Sequence, residues 1–258
     1  MITSNLKGRL GNQMFQIAAA YALALDNDDS CVFPLLSRGT VPSSHEQIFY
    51  VNTILRNVVY GYEFSWVQHA YQDPGFKYKE IPYTQNLLLD GYFQSEQYFA
   101  HRRREILDLF STTSYIEDRL KKYDDLLSND FVAVHIRRGD YVSLSDVHAN
   151  LCEHTTYYDA AFDMFKGKKK VFFSDDWQWC YQNFGPDNIY IKNENDVVEM
   201  FLFSKMPNKI IANSSFSWWG AWLGENENSR IIAPQKWFGK DNSHLSTESV
   251  IPPRWTKI

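Results

Sequence analysis

The sequence predicts an α/β protein built on parallel sheet. Three observations carry that reading. Short apolar runs, "FVAVHI", "VFFS", "NIYI", "NKIIAN" and "RIIAP", alternate with helix-like segments through residues 131–234. The chain opens as strand, loop and helix: "MITSNL", "KGRLGNQ", "MFQIAAAYALAL". Charged and small polar residues gather where the apolar runs end, the place where parallel sheets bind ligands. With 258 residues, 44% of them hydrophobic, the chain can bury a core and is long enough for one or two domains.

After the opening helix, "CVFPLL" reads as a strand. Residues 38–97 are aromatic and turn-rich, with "QDPG" as a turn and "YTQNLLLDGYFQS" as strand then loop. A helical stretch over roughly 96–128 closes the first half. "TTYYDAAFDMF" is a helix with Thr156 and Asp159 in capping-box spacing. "DDWQWCYQNF" is a helix started by Ser174 or Asp175, and "DVVEMFLFSKM" is capped by Asn195. "SSFSWWGAWLG" opens another helix, whose Trp218, Trp219 and Trp222 read as packing rather than as a sugar platform.

Net charge and cysteine usage exclude several classes. A formal charge of −5 argues against general nucleic-acid binding, which needs a basic face. Cys31, Cys152 and Cys180 show no CxxC spacing, so the expectation is reduced thiols and no zinc site. No secretory signal is read at the start, and the apolar stretch that stops at Asp26 is too short to span a bilayer. The sequon at Asn213 carries little weight in that setting. "HRRRE" at 101–105 and "KGKKK" at 166–170 read as solvated faces.

Four strand-end motifs hold the candidate chemistry. In "GRLGNQ", 8–13, Gly8 and Gly11 permit tight backbone, and Arg9, Asn12 and Gln13 offer donors beside a helix N-terminus. The plain alternative is a turn with a solvated arginine. In "VHIRRGD", 134–140, Arg137 and Arg138 stand at a strand exit with Asp140 close behind. Guanidinium forks suit phosphate oxygens. An exposed ion pair contributes roughly 0–1 kcal/mol, a thin reason for three charges there. His135 alone reads as structural. In "FFSDD", 172–176, one carboxylate of Asp175 and Asp176 can cap a helix and leave the other for a ribose, a guanine edge or a divalent metal. In "NSSFSWWGAWLG", 213–224, serines at a strand-to-helix turn make an anion site.

Together, "KGRLGNQMFQIAAAYALA", "VAVHIRRGDYV", "YYDAAFDMF", "VFFSDDWQWC" and "IIANSSFSWWGAWLG" resemble the α-1,2-fucosyltransferases of glycosyltransferase family 11 across nearly the whole chain. The resemblance implies a GT-B-like α/β architecture, two Rossmann-like domains facing across a cleft. Residues 1–124 would be the acceptor-side domain and 125–258 the domain that binds the GDP-sugar. It implies an inverting transfer of L-fucose from GDP-β-L-fucose to the 2-hydroxyl of a terminal β-galactoside. Arg137 and Arg138 match the arginines holding the donor diphosphate. His135, Ser174, Asp175 and Asp176 match positions near the guanine or ribose. Ser214, Ser215 and Phe216 match the phosphate-binding turn, and Arg9 and Asn12 the loop from the other half. Acceptor choice falls to residues 38–97.

The expected chemistry needs no cofactor. Two arginines and a helix terminus would neutralise the diphosphate, so no metal is required. Inversion needs a proton acceptor, and Asp140, His148, Glu153 or a carboxylate of the first half remain open for that role. Arg137, Arg138 and Asp140 are the catalytic candidates. The expected location is cytoplasmic, peripheral at the inner membrane where the acceptor is lipid-linked. Rival readings are another GDP-sugar transferase, of α-1,6 or protein O-fucosyl type, and a non-catalytic carbohydrate-binding protein.

Overall fold

The strands fall into two parallel systems, one in each of two units. The computed structural model describes residues 1–35, 44–153 and 155–258. Met1–Thr113 with Ser246–Pro252 forms the first unit, and Ser114–Leu245 with Pro253–Ile258 the second. The sequence reading put the boundary at 124. It falls earlier because Ile116 and Leu120 are buried by the second unit's own helices. The return of 246–252 to the first unit has no local sequence mark. Among the described residues no helix is long and apolar enough to cross a membrane.

The first unit runs β1 (Ile2–Ser4), α1 (Leu10–Asp26), β2 (Phe33–Pro34), α2 (Ser44–Asn52), β3 (Tyr60–Gly61), β4 (His69–Gln72), β5 (Leu87–Asp90) and α3 (Arg103–Leu109). β5 pairs in parallel with β1 on one side and β4 on the other. Ile2 bridges Cys31, and β2 pairs with β3, also in parallel. The expected strand 31–36 shrinks to Phe33–Pro34, and Leu36 lies outside the described residues. A proline has no N–H to donate to a ladder. Of the weakly legible stretch 38–97, residues 38–43 likewise lie outside. α1 starts at Leu10, so Asn12 and Gln13 sit in its first turn rather than in a loop. The expected helix over 96–128 is broken at Ser111-Thr112-Thr113. There the Ser111 hydroxyl donates to the Asp108 carbonyl at 2.8 Å, the kind of local bond by which serine and threonine end helices.

The second unit runs α4 (Ser114–Leu120), α5 (Asp124–Leu127), β6 (Val132–Ile136), α6 (Gly139–Ser143), α7 (Tyr157–Asp163), β7 (Lys170–Ser174), α8 (Trp177–Phe184), β8 (Ile189–Tyr190), α9 (Asp196–Lys205), β9 (Asn208–Ile210), α10 (Ser215–Leu223), β10 (Arg230–Ala233) and β11 (Thr256–Lys257). The sheet order is β8-β7-β6-β9-β10-β11, with every pair parallel. The chain lays β6, β7 and β8 outward in one direction. It then returns to the far side of β6 for β9, β10 and β11. This is the doubly wound order, and its direction reverses between β6 and β9.

Both faces of this sheet are covered, so both sets of alternating side chains are buried. Val132, Val134 and Ile136 join Phe172, Ile210 and Ile232 in one cluster with Tyr157, Tyr158, Ala161 and Phe165. On the other face Phe173 meets Phe203 of α9 edge-on at 5.2 Å. The Tyr157 hydroxyl donates to the carbonyls of Ile211 and Ile232, at 2.6 and 3.1 Å, and so ties two neighbouring strand ends. Trp218, Trp219 and Trp222 are fully buried, as packing requires. A Cβ on Gly224 would lie 1.8 Å from the Ser204 carbonyl oxygen, so glycine is needed where the end of α10 meets α9. Asn195 caps α9 through Val198 N–H at 2.9 Å. Thr156 occupies the cap position of α7 without a side-chain bond. Thr155 Oγ1 accepts from Tyr157 N–H instead, at 3.2 Å.

Lys209 breaks the apolar pattern of β9. It is fully buried, and its Nζ has no hydrogen-bond partner among the described residues. Burial pushes its pKa down to about 8, partly opposed by Glu225. A lowered lysine pKa means that the folded state resists protonation. The cost is full below pH 8 and fades as pH rises toward 10.5. The displacement from 10.5 to about 8 corresponds to about 3 kcal/mol. Lys209→Met should therefore raise the thermal midpoint at pH 7, and the gain should shrink between pH 8 and 10.5. A gain that does not change over that range would contradict this account.

Candidate functional site

Three strand exits adjoin where the strand order reverses. β6 leaves Ile136 through Arg137 and Arg138 into α6. β7, its neighbour on one side, passes through Asp175 and Asp176 into α8. β9, its neighbour on the other side, passes through Asn213 and Ser214 into α10.

Asp175 joins the first two exits. Its Oδ1 accepts from the Arg138 backbone N–H at 2.9 Å, and its Oδ2 lies 2.7 Å from Arg137 Nη1. Gly139 leaves room for that carboxylate, since a Cβ there would come within 2.5 Å of Oδ2. Arg137 Nη2 also pairs with Asp140 at 2.5 Å, and its guanidinium lies 5.4 Å from the Tyr141 ring centre.

Arg138 is held more tightly still. Its Nε donates to Asp176 at 3.2 Å and its Nη1 to Glu153 at 3.1 Å. The plane rests on Trp179, 3.9 Å from the ring centre. Glu153 is steadied by Asn150 Nδ2 at 3.0 Å. Asp176 works twice, because its Oδ1 also caps α8 through Trp179 N–H at 3.1 Å. The expected caps, Ser174 and Asp175, are engaged elsewhere. Ser174 Oγ accepts from Asp176 N–H at 3.0 Å, and Asp175 is taken by the arginines.

Four carboxylates thus surround two guanidiniums. The sequence placed only Asp140 close behind the arginines; the other three carboxylates come from β7's exit and the loop before α7. Arginines drawn this far from water need anionic partners, and the cluster supplies them. The partners are not equally fixed. Asp140 and Glu153 have 45% and 42% of their side chains exposed, against 10% for Arg138. Asp140 is the most exposed of the four carboxylates.

Around this cluster lie neutral and dipolar groups. His135 is buried, 5.0 Å from the Phe216 ring, and its Nδ1 has no hydrogen-bond partner among the described residues. Burial, aided by Arg137, pushes its pKa down to about 3, so the imidazole is neutral at physiological pH. Ser214 stands at the cap position of α10 without a side-chain cap bond. The first N–H groups of α10, at 215 and 216, have no partner within the helix, and they carry its positive dipole end. Asn213 is buried and donates to the carbonyls of Ala149 and Trp237 at 3.0 and 2.7 Å, so the sequon asparagine is a structural tie. The Tyr141 hydroxyl donates to the Asn213 carbonyl at 3.1 Å, and the Tyr141 ring stacks on His148 at 4.1 Å. Burial holds His148 below the usual histidine range; Asp140 opposes this and Arg137 adds to it.

Arg137, Arg138, Asp140, Ser174, Asp175 and Asp176 therefore form one hydrogen-bonded group. His135 and Phe216 pack beside each other, and Ser214 and Ser215 open α10 at the adjoining exit. Arg9 and Asn12 belong to the first unit. Arg9 is exposed at the cap position of α1, and Asn12 Oδ1 accepts from Gln94 Nε2 at 2.8 Å. Among the described residues no group of three or more His, Cys, Asp or Glu is arranged to hold a metal ion.

Sequence reasoning did not single out Tyr141, Asn150, Trp179 or Glu199. Trp179 carried one usable signal, three residues after the capping Asp176. Glu199, in the first turn of α9, reads in the sequence only as a complement to the helix dipole. Its carboxyl takes no hydrogen bond or ion pair among the described residues. Burial, with Asp196 and Asp175, pushes its pKa up to about 8.

The model of the family described as Glycosyl transferase family 11 matches residues 1–258. An α-1,2-colitosyltransferase of Escherichia coli is 29% identical over 290 residues, covering 100% of this chain and 99% of that protein. A galactoside α-(1,2)-fucosyltransferase 2 of Pongo pygmaeus is 26% identical over 277 residues, covering 99% of this chain and 78% of that one. Among solved structures, the NodZ α-1,6-fucosyltransferase soaked with GDP-fucose aligns with a TM-score of 0.51 at 14% identity, over 95% of this chain and 97% of that one. A likeness at that identity shows the fold alone, which is of the GT-B class.

The Glu199 environment sets a pH dependence. A carboxyl whose folded pKa is raised binds its proton more tightly when folded. Its contribution to stability is complete below about pH 4.5 and is lost as pH rises through about 8. The thermal midpoint of Glu199→Gln relative to wild type should therefore climb between pH 5 and 8 and then level off. A flat difference across that window would mean that the carboxyl is solvated.

Proposed function

The chain belongs to glycosyl transferase family 11, and from that premise we propose that it is an inverting α-1,2-fucosyltransferase. It moves L-fucose from GDP-β-L-fucose to the 2-hydroxyl of a terminal β-galactoside. The observation that carries this reading is the placement of Arg137 and Arg138 at the exit of β6, beside the N-terminus of α10, where the sheet order reverses. A doubly wound sheet binds nucleotides there. A lectin has no use for arginines so placed. The α-1,6 and protein O-fucosyl alternatives are disfavoured by relatives that match nearly the whole of this chain and are named for α-1,2 transfer.

As the fucose–phosphate bond breaks, the ring gains positive charge and the diphosphate gains negative charge. Groups fixed in advance around the departing diphosphate lower that barrier. Arg138, clamped by Asp176, Glu153 and Trp179, is the positioning cation. Arg137 is the receiving one, because it can exchange the exposed Asp140 for a phosphate oxygen. The N–H groups at 215 and 216 add dipolar stabilisation. Each charged hydrogen bond contributes on the order of 1.5–3 kcal/mol, and several tightening together supply many powers of ten in rate. The same exchange frees Asp140, which then has a lone pair for the acceptor's proton. His135, neutral and buried, offers an unpaired ring nitrogen to the nucleoside.

No metal enters this scheme. Its support is that both carboxylates a cation would need are engaged, Asp175 by Arg137 and Arg138, and Asp176 by Arg138 and the cap of α8. We place the reaction in the cytoplasm, with peripheral membrane contact where the acceptor is lipid-linked. The three thiols, all free, fit a reducing compartment.

A second donor reading has its own support, since one full-length relative is named for colitosyl transfer. Colitose is fucose without its 3-hydroxyl, so the same diphosphate site would serve both sugars.

Transfer from GDP-fucose and from GDP-colitose to a panel of galactosides, with linkage analysis, decides the function. An α-1,2 fucosyl product is expected. GDP-colitose alone as donor would replace the donor assignment, and no transfer from either would overturn the reading. Turnover should persist in excess EDTA; loss on chelation with recovery on manganese would make the paired aspartates a metal site. Arg137→Ala should lower kcat/KM by about 100- to 1,000-fold, more than Asp140→Asn. Wild-type-like turnover in Arg137→Ala would remove its assigned role.

A further inference from the structure

The first unit carries its own built site at the carboxyl ends of β1, β5 and β4. We infer that it is the pyranose subsite for the galactoside acceptor, an inference that rests on the reading above.

Tyr92 follows β5 and is held outward by an unusual turn. Gly91 has φ +155°, and Phe93 has φ +51°, in the left-handed region that bulky residues avoid. Phe93 is fully buried, whereas Tyr92 is 36% exposed. The turn is locked by Asp73, whose Oδ2 accepts from the N–H groups of Tyr92 and Phe93 at 3.0 and 2.8 Å. A Cβ on Gly91 would lie 1.9 Å from Asp73 Cβ, so the lock needs glycine at 91. Burial raises the Asp73 pKa, a tax on a carboxylate that the turn's N–H donors partly offset. A costly backbone held by a half-buried carboxylate beside one outward aromatic ring points to a binding surface.

The surroundings of that ring suit a sugar. Phe76 stacks nearly parallel to Tyr92, with ring centres 6.3 Å apart and planes 17° apart. Lys7 Nζ lies 5.5 Å from the Tyr92 ring centre and 2.9 Å from Asp90 Oδ1. Gln94 and Asn12 form a second polar pair at 2.8 Å. The strand exit bearing Lys7 is fixed, because Gln16 bonds both the N–H and the carbonyl of Lys7, at 2.9 and 3.0 Å. A galactopyranoside has one face of C–H bonds, left by its axial 4-hydroxyl, and a rim of hydroxyls. The ring takes the face, and the lysine, carboxylate and amides take the rim.

The test separates this subsite from the catalytic reading. Methyl β-galactoside binding is followed by saturation-transfer NMR, and lactose transfer by steady-state kinetics, on wild type, Tyr92→Ala and Tyr92→Phe. The inference expects Tyr92→Ala to lose the galactoside signal and to raise the lactose KM by about tenfold. Its GDP affinity and thermal midpoint should stay at wild-type values, and Tyr92→Phe should stay within about twofold of wild type in KM, since the ring remains. Lactose kinetics indifferent to Tyr92→Ala would overturn the subsite and leave the transferase reading standing. A wild-type chain that binds methyl β-galactoside through Tyr92 yet transfers no sugar would support the subsite and overturn the reading.

Discussion

The second unit is organised around one carboxylate. Asp175 takes the backbone of Arg138 with one oxygen and the side chain of Arg137 with the other. It thereby fixes how β6 leaves the sheet and where both guanidiniums stand. The bond is possible because β6 and β7 are in-register neighbours, Ile136 opposite Ser174, so their next residues meet. It also requires glycine at 139, where a methyl group would collide with the same oxygen. Topology, side-chain choice and backbone permissiveness converge on a single hydrogen-bonded joint.

That joint explains how Arg138 can be buried and Arg137 largely withdrawn from water. A guanidinium removed from water is costly unless it is paired, and a paired one is weakly available to a ligand. The cluster divides these demands. Arg138 is saturated and rigid between Asp176, Glu153 and Trp179. Arg137 keeps one partner, Asp140, that is nearly half exposed. On the proposed reading, an anion arriving there trades one carboxylate for a phosphate oxygen and leaves the Asp175 and Arg138 contacts standing. The neutral His135 behind it, with a pKa pushed down to about 3, adds no competing charge.

Much of this was legible in the sequence, for physical reasons. The alternation of short apolar runs with helical segments gives a parallel sheet almost directly, and Asn195 announces the helix that it caps. Two arginines after "FVAVHI" mark the exit of a strand, and β6 does end at Ile136, just before them. What was not legible depends on partners far apart in the chain. Nothing local distinguishes Asp176 as the cap from Asp175 as the joint; the register of β6 against β7 decides it. Trp179 reaches Arg138 from α8, and Glu153 from the segment ahead of α7. In the first unit Pro34 and the left-handed Phe93 interrupt the periodicities on which strand reading depends. The outward presentation of Tyr92 follows from a bond to Asp73, nineteen residues earlier in the chain.

The most direct test of the central claim is a crystal structure of the chain with GDP bound. The account predicts the β-phosphate within hydrogen-bond distance of Arg137 and of the N–H groups at 215 and 216. Asp140 should be turned away from Arg137, with Asp175 still bridging Arg137 and the Arg138 backbone. A diphosphate seated elsewhere, with the Arg137–Asp140 pair intact, would contradict it.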